Sequence, residues 1–160
     1  MTAIPVLVTP PARPVVSLED AKAHLQIDHD EQDAMIEGLV LAATAHLDGW
    51  RGVLGRAILP QGWQETHVGP GPYMLAMPDV SEVTASAGGA VSVELTALGP
   101  MVTLAEPVEG VTLSYTCGLP AGQLRAAEVA VKLYLTHLYF GYDLSPAFGA
   151  MVEALRWRAV

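Results

Sequence analysis

Apolar residues repeat at two different periods along this chain, and the period changes twice, near residue 56 and near residue 117. Before the first change, Ile36, Val40, Ala43, Leu47 and Trp50 fall at intervals of 4, 3, 4 and 3. After the second, Leu124, Ala127, Val131, Leu135 and Leu138 fall at 3, 4, 4 and 3. Such spacing draws a single stripe down an α-helix. Between the two changes, Val91-Ser92-Val93-Glu94-Leu95 and Val111-Thr112-Leu113-Ser114-Tyr115 alternate, giving strands with one buried and one wetter face. The expected class is α+β: a helical bundle with a small antiparallel β-sheet or sandwich inserted into it.

Three blocks follow within one expected domain spanning 1–160. Residues 1–55 read as a Pro-rich arm and two helices. Ser17-Leu18-Glu19-Asp20 has the form of an N-cap with an acid three places on. A second helix start is expected at Asp30, where Glu31 and Asp33 would favour the positive end of the helix dipole, and Gly49, Gly52 and Gly55 would end that helix. Residues 56–117 hold six short β-type runs, the last two expected to form a hairpin around Glu106–Gly110. Residues 118–160 read as a long helix from Pro120 to Gly141 and a short one from Pro146 to about Trp157. Leu133, Tyr134, Tyr139 and Phe140 lie off the stripe of the long helix. A helix apolar on several sides is either central to a core or shared with a neighbouring subunit.

Composition narrows the function classes. The 160 residues bury roughly 70% of the surface their unfolded chain exposes, enough for a core without staples. One cysteine, Cys117, excludes an intramolecular disulfide framework. The formal charge of −9 would repel phosphates, which argues against a nonspecific nucleic-acid binder. Only 16% of residues are charged against 51% hydrophobic, a shortage of surface charge that hints at apolar area facing a partner. Met1 to Val8 lacks the basic region of a signal peptide, and Leu39 to Leu47 is far shorter than the ~20 residues of a membrane span. A start in the cytoplasm is expected.

Little reads as catalytic. His24, Asp28, His29 and Asp30 are residue types that bind divalent metals, with His24 and Asp28 four apart on one helix face. A small metal-dependent hydrolase or ligand-binding domain built on His24, Asp28 and His29 is therefore the alternative function. The plainer reading is a helix cap beside solvated histidines. Cys117 has no local histidine base and reads as a buried thiol at a strand end. Gly69-Pro70-Gly71-Pro72 lacks the N–H donors and the lysine of a phosphate-cradling loop and reads as a turn. No catalytic residue and no cofactor is expected. The unusual feature is Trp157, close to the chain end between Arg156 and Arg158. Tryptophan and arginine are the residue types most often found as interface hot spots.

The order and spacing of several runs resemble the head–tail connector, or adaptor, proteins of long-tailed phages and gene transfer agents. These runs are Ser17–Leu25 with Ile27-Asp28, Gly55–Ile58 leading into Gln61-Gly62-Trp63, Met77–Val83, Leu124–Tyr139, and Phe148 with Glu153–Arg156. Thr84–Gly89, Gly141-Tyr142-Asp143 and the Arg-Trp-Arg tail depart from the family pattern. The resemblance implies a structural subunit in a ring, typically of twelve copies, beneath the portal protein. It would join the portal to a stopper or tail-terminator protein in the particle neck, after assembly in the bacterial cytoplasm, with DNA crossing the channel without specific binding. On this reading Phe148, Leu155, Arg156, Trp157 and Arg158 are expected to dock on the portal. Asp28, Asp30, Glu31 and Asp33 are expected to face the channel, where twelve copies would bring a charge of about −108 to one ring.

Overall fold

The computed structural model describes residues 3–158. Its order is β1 (Val6–Thr9), α1 (Leu18–Leu25), α2 (Asp33–Leu47), β2 (Gln61–Val68), β3 (Tyr73–Met74), β4 (Val80–Ala85), β5 (Val91–Thr96), β6 (Gly99–Leu104), β7 (Gly110–Cys117), α3 (Ala121–Phe140) and α4 (Pro146–Leu155). The α+β class holds: four helices accompany two antiparallel sheets.

Helix α1 begins as its sequence dictates. The Ser17 hydroxyl oxygen accepts the Asp20 N–H at 3.1 Å and donates to the Asp20 carboxylate at 3.0 Å, so one orphan donor of the first turn is satisfied. Ser17→Ala is expected to cost about 1 kcal/mol, read as a shift in the urea midpoint at unchanged slope.

Helix α2 corrects two expectations. It starts at Asp33, with Gln32 at the N-cap making no side-chain capping bond, instead of at Asp30. The reason lies across the loop, where Lys22 Nζ binds Asp30 at 2.5 Å and Asp33 at 2.8 Å, so Asp30 closes onto α1 and caps nothing. Helix α2 also stops at Leu47, with Asp48 extended and Gly49 at φ +80°, so Trp50 leaves the helical stripe. Trp50 packs instead against the sheet core. The Asp48 carboxylate accepts the Ile58 N–H at 2.7 Å and the Gln61 side-chain amide at 3.0 Å, which fixes the passage from helix into β2.

The helical core joins the stripes that the sequence marks. Ile36, Val40, Ala43 and Leu47 of α2 meet Ala127, Val131 and Leu135 of α3 and Phe148, Val152 and Leu155 of α4. Several off-stripe residues of α3 are used within the chain: Tyr134 stacks on His46 at 4.2 Å, and Tyr139 donates its hydroxyl hydrogen to Gln32. Phe140, stacked on Tyr142, is 45% exposed.

The first sheet has order β1-β2-β7-β4 and the second β3-β6-β5, and their apolar faces enclose a second core around Trp63, Tyr73, Met77, Val102, Leu113 and Tyr115. The expected hairpin of the last two strands does not form. β6 and β7 belong to different sheets, and Glu106–Gly110 is the crossover between them. The hairpin is β5–β6, with Thr96 opposite Gly99. Strand β1, which lacks the alternation of a half-buried strand, pairs antiparallel with β2 more than fifty residues later.

Candidate functional site

The C-terminal segment is latched onto its own chain by groups from the loop after α2. Arg56 is 8% exposed. Its Nε and Nη2 bind the two oxygens of Asp79 at 2.8 and 3.0 Å, and its Nη1 donates to the carbonyl of Leu155 at 2.9 Å. One guanidinium thus ties the start of β4 to the last turn of α4, where helix carbonyls lack donors and a cation is favoured. The backbone N–H of Trp157 donates to the Leu54 carbonyl at 2.8 Å. The indole lies half-buried beside Gly99, at ordinary van der Waals distance from where a Cβ there would stand.

Of the residues expected to dock on the portal, Phe148 (7% exposed) and Leu155 (2%) are core side chains that hold α4 down. Trp157 shows one edge to solvent, and Arg156 and Arg158 are exposed. Both arginines reach back to Glu153, Arg158 at 2.5 Å and Arg156 at 3.9 Å. Such surface pairs are worth about 0–1 kcal/mol, so an external acid can replace Glu153 at little cost. Ala159 and Val160 lie outside the described residues.

Of the residues expected to face the channel, Asp28, Asp30 and Glu31 are exposed on the α1–α2 loop, and Asp33 opens α2. Lys22 compensates part of this charge. Its hydrogen bond holds the Asp30 carboxyl below the usual range, and the same pair raises the lysine.

The histidines and acids of this region do not converge. His24 hydrogen-bonds Thr136 of α3 at 2.7 Å, while Asp28 and His29 are exposed. Among the described residues, no three His, Cys, Asp or Glu side chains stand close enough to hold a metal ion, so the donor set of the alternative function is not assembled. Cys117 is buried at the end of β7, and burial, with Asp79, Asp48 and Glu65 nearby, pushes its thiol up to about 12. It is not a thiolate at neutral pH. No helix of the described residues is long and apolar enough to cross a membrane.

Periodicity did not single out Glu65, on the buried face of β2 and only 1% exposed. Its Oε1 accepts the Tyr115 hydroxyl at 2.5 Å and the Ala76 N–H at 2.9 Å, so one carboxylate oxygen ties β2 both to β7 and to the segment that follows β3. The other oxygen stands 3.3 Å from His67 Nε2 without hydrogen-bond geometry. Burial drives the Glu65 carboxyl up, against the pull of those donors, and drives the Tyr115 phenol up as well. The only signal in the sequence is placement: Glu65 stands at the i+2 position from Trp63, on the face that the tryptophan buries, together with Gln61 and His67.

Comparison with known proteins fits this architecture. A family model described as phage gp6-like head–tail connector protein matches residues 15–85, from the entry to α1 through the end of β4. No curated protein matches the sequence. A solved structure described as the neck of an empty GTA (gene transfer agent) particle, computed with C6 symmetry, contains a chain of the same fold. The TM-score is 0.72 at 19% identity, covering 98% of this chain and 97% of that one. Residues 15–85 thus carry the sequence pattern of the phage gp6-like head–tail connector proteins, on a fold that this chain shares along nearly its whole length with a neck chain of a gene transfer agent.

Proposed function

We propose that this chain is a head–tail connector subunit in the neck of a phage or gene transfer agent particle, with a structural role and no catalytic one. The observation that carries the reading is the coincidence of a connector sequence pattern over residues 15–85 with a neck-protein fold over 98% of the chain. On this reading the subunit forms a ring, of about twelve copies if it follows the resemblance, between the portal protein and a stopper or tail terminator. The α1–α2 loop with Asp28, Asp30 and Glu31, together with Asp33 at the start of α2, lines the channel as a wall that repels DNA.

The exposed edge of Trp157, flanked by Arg156 and Arg158, is the portal contact. Deleting the last ten residues is a poor test, because it also removes the core residues Val152 and Leu155. Trp157→Ala is the better one. Capture by purified portal rings is expected to weaken about thirtyfold, the loss of one interface hot spot, while urea unfolding stays cooperative. Unchanged affinity would remove Trp157 from the interface. A ring of this protein seen beneath the portal by electron microscopy supports the connector role, and its absence from assembled necks excludes it.

A further inference from the structure

A sheet edge left unpaired is a template for another strand, and natural proteins blunt such edges with lysine, proline, bulges or very short strands. Four strands here lie at sheet edges, and two are blunted. β3 has two residues, and β4 is broken by a register shift between Ser81 and Thr84, with Glu82 at φ +51°. The other two, β1 and β5, carry no lysine and expose apolar side chains. On β1 these are Val6 (59%) and Val8 (53%), the one irregularity lying between Leu7 and Thr9. On β5, Val93 stands opposite the fully buried Val102 yet is 43% exposed, and Leu95 is 76% exposed. Val91 packs on the sheet core, so it is the Val93–Leu95 end of the apolar face of β5 that stands uncovered among the described residues.

Charge distinguishes the two edges. Residues 57–124 contain six acids and no lysine or arginine. Glu94 lies on β5, and Glu106 and Glu109 follow β6, all three exposed. Around β1 the two ends differ: Glu82 lines a hollow with Val8 and Thr9, whereas the Pro5–Leu7 end carries free positive charge. Arg51, stacked over Trp50 at 5.6 Å, lines a hollow with Pro5 and Leu7, and Arg13 is the first charged residue after the strand. Neither arginine has a carboxylate at ion-pair distance among the described residues, and Asp48, in the same hollow as Arg51, is engaged by Ile58 and Gln61. Two β5 edges brought together would oppose like charges, whereas β5 with Glu94 at the Arg51 end of β1 opposes unlike ones.

We propose that the free edge of β5 in one copy pairs with the free edge of β1 in the next, with Glu94 on the side of Arg51. The inference rests on the ring reading above and names the surface that reading requires. β1 and β5 belong to different sheets, so the contact is heterologous and repeats from copy to copy until rotation closes it. A four-residue strand buries well under the ~1,200 Å² of a standard interface, so a single contact is weak and closure of the ring has to supply the rest.

The test is cross-linking in assembled particles with Val6→Cys and Val93→Cys, both at exposed positions, against the buried and inert background of Cys117. With a short bismaleimide, the double variant is expected to give a ladder of covalent oligomers. A mixture of the two single variants should give dimers only, and either single variant alone should stay monomeric. Covalent dimers from Val93→Cys alone or from Val6→Cys alone would overturn the pairing. Rings visible in micrographs but monomers on the gel would sink this surface and leave the connector reading standing; particles without rings would sink both. In parallel, Arg51→Glu is expected to lower ring yield about tenfold, with Glu94→Arg in the same chain restoring most of it. A double variant no better than the single one would remove the charge pairing.

Discussion

Arg56→Met is expected to lower folding stability by about 3–5 kcal/mol, the usual consequence of stripping one partner from a buried ion pair. Methionine fills much of the volume, so the loss is electrostatic. The Asp79 carboxylate, only 19% exposed, would keep its charge without the two bonds at 2.8 and 3.0 Å, and the Leu155 carbonyl would lose its donor. Asp79 also sits at φ +56°, a conformation that costs energy in any residue with a Cβ and that the bidentate contact helps to hold. Arg56→Lys is not a conservative change here, since an ammonium cannot span both carboxylate oxygens and the helix end together. Removing both charges in Arg56→Met/Asp79→Leu should recover more than half of the loss, because the uncompensated ion is gone. Urea denaturation of the three variants decides the matter: an Arg56→Met protein within about 1 kcal/mol of the parent would show that the pair does not hold the fold. Portal capture should fall together with stability, because Trp157 lies two residues beyond the clamped carbonyl.

That clamp marks the boundary of what the sequence could tell. Periodicity found the four helices and six of the seven strands; most bury a stripe or an alternate face that their own residues declare, but β5, whose alternation predicts a buried face, leaves Val93 and Leu95 exposed. It missed β1, because an edge strand exposed on both faces has no alternation to display and depends on a partner more than fifty residues away. It paired β6 with β7 because they are neighbours in sequence, whereas pairing is set by which sheet face each residue must cover. Asp30 looked like a cap because caps are recognised locally, and its true partner, Lys22, lies a helix away. The same holds at the C-terminus. The composition of Arg156-Trp157-Arg158 was legible, but that Phe148 and Leu155 are spent on the core, and that Leu54 and Gly99 receive Trp157, are properties of the folded chain. The order of blocks was the most durable signal, since it records the architecture and not any one contact.

Glu65 yields the second large effect, with opposite signs for two substitutions. Its carboxyl is raised in the folded chain, chiefly by burial, with Tyr115, Ala76 and His67 pulling the other way. A raised folded value means that the native state binds the proton more tightly than the unfolded chain, whose ordinary value is 4.5. The stability this contributes is complete below that value and is lost as pH rises through the higher folded value. Stability should therefore fall with rising pH in the window that starts near the ordinary glutamate value. Glu65→Gln keeps the Oε1 acceptor for Tyr115 and Ala76 and removes the buried charge. It is expected to flatten this window and to gain about 1–2 kcal/mol above it. Glu65→Ala leaves the Tyr115 hydroxyl and the Ala76 N–H without an acceptor in the sheet core, and should cost about 3 kcal/mol or more. Asp48 is also raised by burial and contributes a slope of the same sign, so the difference between parent and Glu65→Gln isolates Glu65. Urea midpoints measured from acid to neutral pH give that difference directly. A glutamine variant with the parent's slope would mean that Glu65 takes up no extra proton on folding, and that burial does not raise its carboxyl.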